Sequence, residues 1–192
     1  MYVETQLPNH ASALEPSVAL RKLQWLAHLM RALSASYAGW VLWQTLNWWT
    51  RRDDIVLHMG NYLQRDLSAM AAWQPMVALG LDLFDWALLL IAVAYCWKFL
   101  ACLQRGTHLN VLAPKYLACC AWFAVASQAV ALLFRPLKTY VLTSHLSGAE
   151  PVFKWAIYNH DMLGAIVGLT LLMFAYLFTW VLEVVEENRS FV

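Results

Sequence analysis

The feature that most constrains this chain is the run from Met76 to Leu103, MVALGLDLFDWALLLIAVAYCWKFLACL. A helix crosses the hydrocarbon core of a bilayer with about 20 mostly apolar residues. This run exceeds that length. Three further stretches reach it, at about 29–49, 116–134 and 162–182. In lipid each backbone N–H and C=O must be satisfied within the protein, so such stretches have to be helical. The expectation is an all-α integral membrane protein, an antiparallel four-transmembrane-helix bundle. Its single domain covers 1–192, with spans near 29–49, 80–103, 116–134 and 162–182.

Composition supports lipid as the solvent. The chain is 61% hydrophobic and 13% charged, where soluble domains carry about 25% charged residues. Of its 11 Trp, Trp40, Trp43, Trp48 and Trp49 crowd the end of the first span, as indoles favour the membrane–water interface. The net charge of +1 supplies no basic field, so direct nucleic-acid binding is not expected. The polar segment 1–20 lacks the basic start and short apolar core of a cleaved signal, and is expected to stay on the mature chain.

Between the first two spans lies RRDDIVLHMGNYLQRDLSAMAAWQP. Ile55, Met59, Tyr62 and Leu63 fall near helical spacing, which predicts a helix lying in the interface. An even number of spans puts both termini on one side. Seven basic residues then fall on the side of the termini and six on the other. A cytoplasmic N-terminus is favoured because Arg21, Lys22 and Arg31 precede or open the first span.

Asp82 and Asp85 share one helix face inside the second span. Charges in mid-bilayer are rare and functional by default. If the helix enters at Met76, they lie about 9 and 13 Å deep at 1.5 Å per residue. If it leaves at Leu103, counting back about 20 residues places both at the opposite boundary, with Lys98 snorkelling at the near one. The boundary placement is the expectation. The third span, closed by Arg135-Pro136, ends on the face where the second begins. An ion pair from Asp82 or Asp85 to Arg135, with Lys138 nearby, is therefore predicted as a helix–helix clamp.

Gly164 and Gly168 form a GxxxG in the fourth span, and Ala35 and Gly39 are spaced likewise in the first. Such pairs let helices approach closely. Packing within one chain is expected, with a homodimer face as the alternative. The cysteines Cys96, Cys102, Cys119 and Cys120 read as buried apolar residues, with Cys102 able to approach Cys119–Cys120 across a hairpin. The six His show no zinc spacing. No nucleophile elbow, P-loop or dinucleotide fingerprint occurs. No enzyme activity, metal or cofactor is expected.

The segment Trp97–Thr143 and the ending EVVEENRSFV carry a resemblance. Lys98-Phe99 closes the second span, Arg105-Gly106 makes a turn, Pro136 closes the third span, and Glu186-Glu187-Asn188 precedes Phe191-Val192. In these features the chain resembles the bacterial four-helix membrane proteins of domain-of-unknown-function family 2975. It departs at the turn, where Leu109, Asn110 and Ala113 replace the usual residues. The resemblance implies a bacterial inner-membrane protein, in a family whose members are often encoded beside a small helix-turn-helix regulator. The expected function is thus a noncatalytic membrane sensor or regulator. A cytoplasmic partner would meet it at Arg105, Gly106, Glu186, Glu187, Asn188, Phe191 and Val192. The alternative is a small transporter or an accessory subunit of a membrane complex using Asp82, Asp85 and Arg135.

Overall fold

A computed structural model describes residues 18–104, 112–146 and 151–190. All regular structure among them is helical: α1 (Val18–Thr50), α2 (Arg52–Leu63), α3 (Trp73–Gln104), α4 (Leu112–Thr143) and α5 (Asn159–Ser190). Three helices are both long and apolar enough to cross a membrane, namely α3, α4 and Asn159–Asn188 of α5. At most 22% of any of their apolar windows is buried inside the chain. Side chains such as Ile166, Met173, Phe178 and Trp180 of α5 point outward. A face this apolar is an aggregation liability in water and a fit for lipid. The chain is therefore a helical membrane protein by its own surface.

The expected first span is different. At 33 residues α1 is long enough, but it is not among the helices apolar enough to cross unaided. Trp, Tyr, Gln and Asn dilute it, and Arg31 lies within it. Nor do the helices close into the expected bundle. They pack in chain order as α1 on α3, α3 on α4 and α4 on α5, and α1 and α5 share no packed interface. Each neighbouring pair is antiparallel. Trp49 meets Asp82, while Ser34 meets Trp97. Arg135 meets Asp161, while Gly168 lies on Val125.

Small and polar residues at heptad-like spacing set these seams. In α1 the packed stripe runs through Ala27, Arg31, Ser34, Ala38, Thr45 and Trp49. Ala38 is small enough for Trp86 Nε1 to reach its carbonyl at 3.0 Å. The Ala35–Gly39 pair lies off this stripe. Both residues are exposed, and a Cβ on Gly39 would touch nothing within 4 Å. On α5 the stripe contains Asp161, Gly164, Gly168, Leu172 and Ala175. A Cβ on Gly164 would lie 2.7 Å from Gln128 Cδ, and one on Gly168 2.8 Å from Val125 Cγ2. The GxxxG is thus a seam within the chain, where α5 approaches α4.

One element end departs from expectation. The third span does not close at Pro136. Proline gives up one backbone hydrogen bond and usually kinks a helix, yet membrane helices tolerate it where neighbours satisfy the freed groups. Pro136 is buried, and α4 continues beyond it to Thr143. The helix of the fourth span runs on past Leu182 to Ser190, with Glu186, Glu187 and Asn188 helical and exposed. Arg105, Gly106, Phe191 and Val192 lie outside the described residues.

At one end of the layer α2 packs on α1. Ile55, fully buried, packs with Trp49, Met70, Ala78 and Leu142. Gln64 takes a left-handed conformation and caps α2 through its backbone N–H on the Gly60 carbonyl.

Candidate functional site

The polar residues of α3 and α4 concentrate at this same end. Asp82 lies nine residues into α3, which starts at Trp73, and Asp85 lies twelve in. Asp82 Oδ1 accepts from Lys138 Nζ at 2.5 Å, and Asp82 Oδ2 accepts from Trp49 Nε1 at 2.6 Å. Asp85 Oδ1 accepts from Ser127 Oγ at 2.6 Å. Ser127 is at the middle of α4, and Asp85 is about 5 Å short of the middle of α3 at 1.5 Å per residue. The helix α3 starts at Trp73, about two turns before residue 80, where the span was expected to begin.

The predicted Arg135 clamp is corrected. Arg135 turns away from α3 and binds both carboxylate oxygens of Asp161 in the first turn of α5, one of them at 2.5 Å. Arg135 and Lys138 are three residues apart on α4 and fan in opposite directions, one to each neighbouring helix. This divergence depends on α4 staying helical through Pro136. Asp161 also accepts from the Tyr158 backbone N–H at 2.7 Å, which is half of a capping box. Its charge sits where the α5 dipole favours an anion. The Asp161 side chain is 2% exposed and that of Arg135 17%.

A segment unremarked in the sequence completes the site. Residues 151–158 form an extended strap along α4. The backbone N–H of Val152 donates to Thr143 Oγ1 at 2.9 Å, and that of Lys154 to Thr139 Oγ1 at 3.2 Å. The Ala156 carbonyl accepts from Arg135 Nη1 at 2.9 Å. Two residues of extended chain advance about 6.6 Å, and four residues of helix about 6 Å. The two repeats therefore stay in register. The visible signal was the polar stripe Arg135, Thr139, Thr143 at every fourth position of α4.

Strap and helices line an open cavity of about 410 Å³. Its floor is Asp82, Arg135, Lys138 and Thr139, and its α1 wall is Trp48 and Trp49. Above stand His58, Met59 and Tyr62 of α2 with Lys154, Ala156 and Tyr158 of the strap. Lys154 Nζ donates to the Tyr62 carbonyl at 3.0 Å and sits 3.8 Å from the Tyr62 ring centre, tying strap to α2. Tyr158 stacks under the Arg135 guanidinium at 4.7 Å. The Tyr62 hydroxyl hydrogen-bonded to Tyr158, together with partial burial, pushes the Tyr158 phenol above its ordinary pKa.

Beside the cavity, fully buried Gln74 ties α3 to the end of α4. Its Nε2 donates to the Val141 carbonyl at 2.7 Å and its Oε1 accepts from Ala71 N–H at 2.8 Å. In the adjoining loop the Ser68 backbone N–H holds the Asp66 carboxyl below its ordinary range.

The remaining sequence candidates are dispersed. His58, His145 and His160 all lie at the cavity end. No group of three or more metal-binding side chains forms among the described residues. Cys96 meets Cys120 across the α3–α4 seam. Lys98 lies over the rings of Tyr95 and Tyr116 at 4.9 and 5.9 Å.

The chain matches no family model, no protein of curated function and no solved structure. Fold and site define a helical membrane protein with an aromatic, cation-rich cavity at one end of its helix layer.

Proposed function

We propose that this chain is a noncatalytic four-span sensor or regulator of a bacterial inner membrane, allied to domain-of-unknown-function family 2975. In this reading α1 is the fourth span. It lies antiparallel along α3 and is as long, about 50 Å at 1.5 Å per residue. Its weak hydropathy is offset because Arg31 and Ser34 face α3, where Arg31 Nη2 reaches the Trp97 carbonyl and Ser34 accepts from Trp97 Nε1. The helix α2 then lies in the interface, with Arg51 and Asp54 outward.

The observation that carries the reading is the convergence of α1, α3, α4 and the α5 entry on one cavity, latched by Lys138–Asp82 and Arg135–Asp161. A ligand bound there with different affinity for two helix arrangements shifts the balance between them. The exposed last turns of α5, with Glu186, Glu187 and Asn188, sit at the end opposite the cavity. They are the surface for a cytoplasmic partner such as a small helix-turn-helix regulator.

The test is affinity capture from bacterial membranes with the intact chain and with one lacking 186–192, the captured proteins being identified by mass spectrometry. A DNA-binding regulator retained only by the intact chain supports the reading. Equal capture by both sinks it.

A second reading, a small transporter, is favoured by the Asp85–Ser127 hydrogen bond near the middle of both helices. It requires ion- or proton-coupled flux in vesicles that Asp85→Asn abolishes.

A further inference from the structure

We propose that the cavity binds an amphiphilic anion: a singly charged phosphodiester or carboxylate held between Lys154 and Lys138, with its apolar part against Trp48 and Tyr62. The inference rests on the sensor reading and names the ligand class of that site.

Charge comes first. Three cations line the cavity. Arg135 is spent on Asp161, and Lys138 on Asp82. Lys154 is held by a carbonyl and a ring, and no carboxylate pairs with it among the described residues. Among the described residues that line the cavity, taken with Asp161, cations outnumber acids by one, and Asp85, hydrogen-bonded to Ser127, stands outside the lining. A cationic ligand meets repulsion there, and a neutral one leaves the excess uncompensated. A monoanion balances it.

Donors come second. An ammonium carries three N–H donors. Lys138 directs one to Asp82 and Lys154 one to the Tyr62 carbonyl, so both keep N–H groups for an oxyanion.

The walls come third. Trp48, Tyr62 and Met59 present apolar surface beside these donors. About 410 Å³ falls within the range of small-molecule sites. Because α1 and α5 share no packed interface, the layer is open between its two outer helices. A lipid headgroup arriving sideways and a free amphiphilic anion arriving from water share this chemistry.

The test uses the full chain in nanodiscs. In one arm, phosphatidylcholine discs contain a minor fraction of phosphatidylglycerol, and native mass spectrometry counts each lipid retained. In the other, pure phosphatidylcholine discs are titrated with dibutyl phosphate by calorimetry. Phosphatidylglycerol enriched on the protein, and about tenfold less so after Lys154→Gln, assigns a lipid headgroup. Dibutyl phosphate binding, about tenfold weaker after Lys154→Gln, without lipid enrichment assigns a soluble anion. Tenfold is the loss expected for one charge-assisted hydrogen bond. Lys154→Arg should keep binding, as should Lys115→Gln at the start of α4, which removes the same charge elsewhere. Binding of neither anion, or equal loss in Lys115→Gln and Lys154→Gln, overturns the proposal. Failed partner capture with intact binding overturns the sensor reading alone, and the reverse result this inference alone.

Discussion

Arg135 grips both carboxylate oxygens of Asp161 and leaves Asp82 to Lys138. Each outer seam of α4 thus has its own ion pair, one to α5 and one to α3. Breaking a buried pair by removing one partner costs about 3–5 kcal/mol, because the other charge is left uncompensated. Arg135→Ala and Asp161→Asn should each lower stability by about that amount. Reversible unfolding in detergent or bicelles checks it. A loss near zero for both removes the latch.

The pair Lys138–Asp82 is more exposed, at 20% and 27% of the side chains, and should matter less. Lys138→Met is expected to cost about 1–2 kcal/mol. It should also alter the Trp49 environment, since Trp49 Nε1 shares the Asp82 carboxylate. Difference fluorescence against a Trp49→Phe background isolates that signal. Its absence would separate Trp49 from the pair.

Thr139 and Thr143 anchor the strap through its backbone N–H groups. Valine at either position keeps the shape and removes the acceptor. The strap is only partly buried, so each lost hydrogen bond should cost about 0.5–1.5 kcal/mol. Faster hydrogen exchange at Val152 in Thr143→Val, and at Lys154 in Thr139→Val, is the expected readout. Unchanged protection would mean that the strap is held by other contacts.

The small residues should rank by what they touch. At Gly168 a new methyl meets Val125, a β-branched side chain with little rotamer freedom. Gly168→Ala should cost about 1–3 kcal/mol through overpacking. At Gly164 the obstacle is the flexible end of Gln128, so Gly164→Ala should cost less. Gly39→Ala meets nothing and should be neutral or slightly stabilising through helix propensity. Thermal unfolding of the three variants tests the order.

Tyr158 should make the strap sensitive to high pH. Its folded pKa is raised, so the folded state holds the proton more tightly than the unfolded one. The associated stability is complete below the ordinary tyrosine value near 10. It is lost as pH rises through the folded value. Phenolate absorbance of wild type against Tyr158→Phe should show one group titrating above that value, and a Tyr158 titration at or below it would contradict the assignment.

The sequence by itself determined the solvent and the element type. Unbroken apolar stretches such as Ala87–Ala94 admit only a helix in lipid, and Gly164–Gly168 correctly suggested an intimate seam within the chain. Hydropathy reads each residue's preference for water, and that preference is local. Tertiary structure alone decided which charge meets which. A basic side chain at Arg135 or Lys138 is compatible with any carboxylate at the same depth. The choice between Asp82 and Asp161 follows from helix order, from the direction each side chain leaves α4, and from Pro136 not ending that helix. The Ala35–Gly39 pair takes no part in a seam within the chain for the same reason. Small residues permit contact, but only the stripe that turns toward a neighbour receives it, and on α1 that stripe passes through Ala38. The cavity itself is a product of α2, the strap and four helix ends meeting, and no local pattern encodes such a meeting.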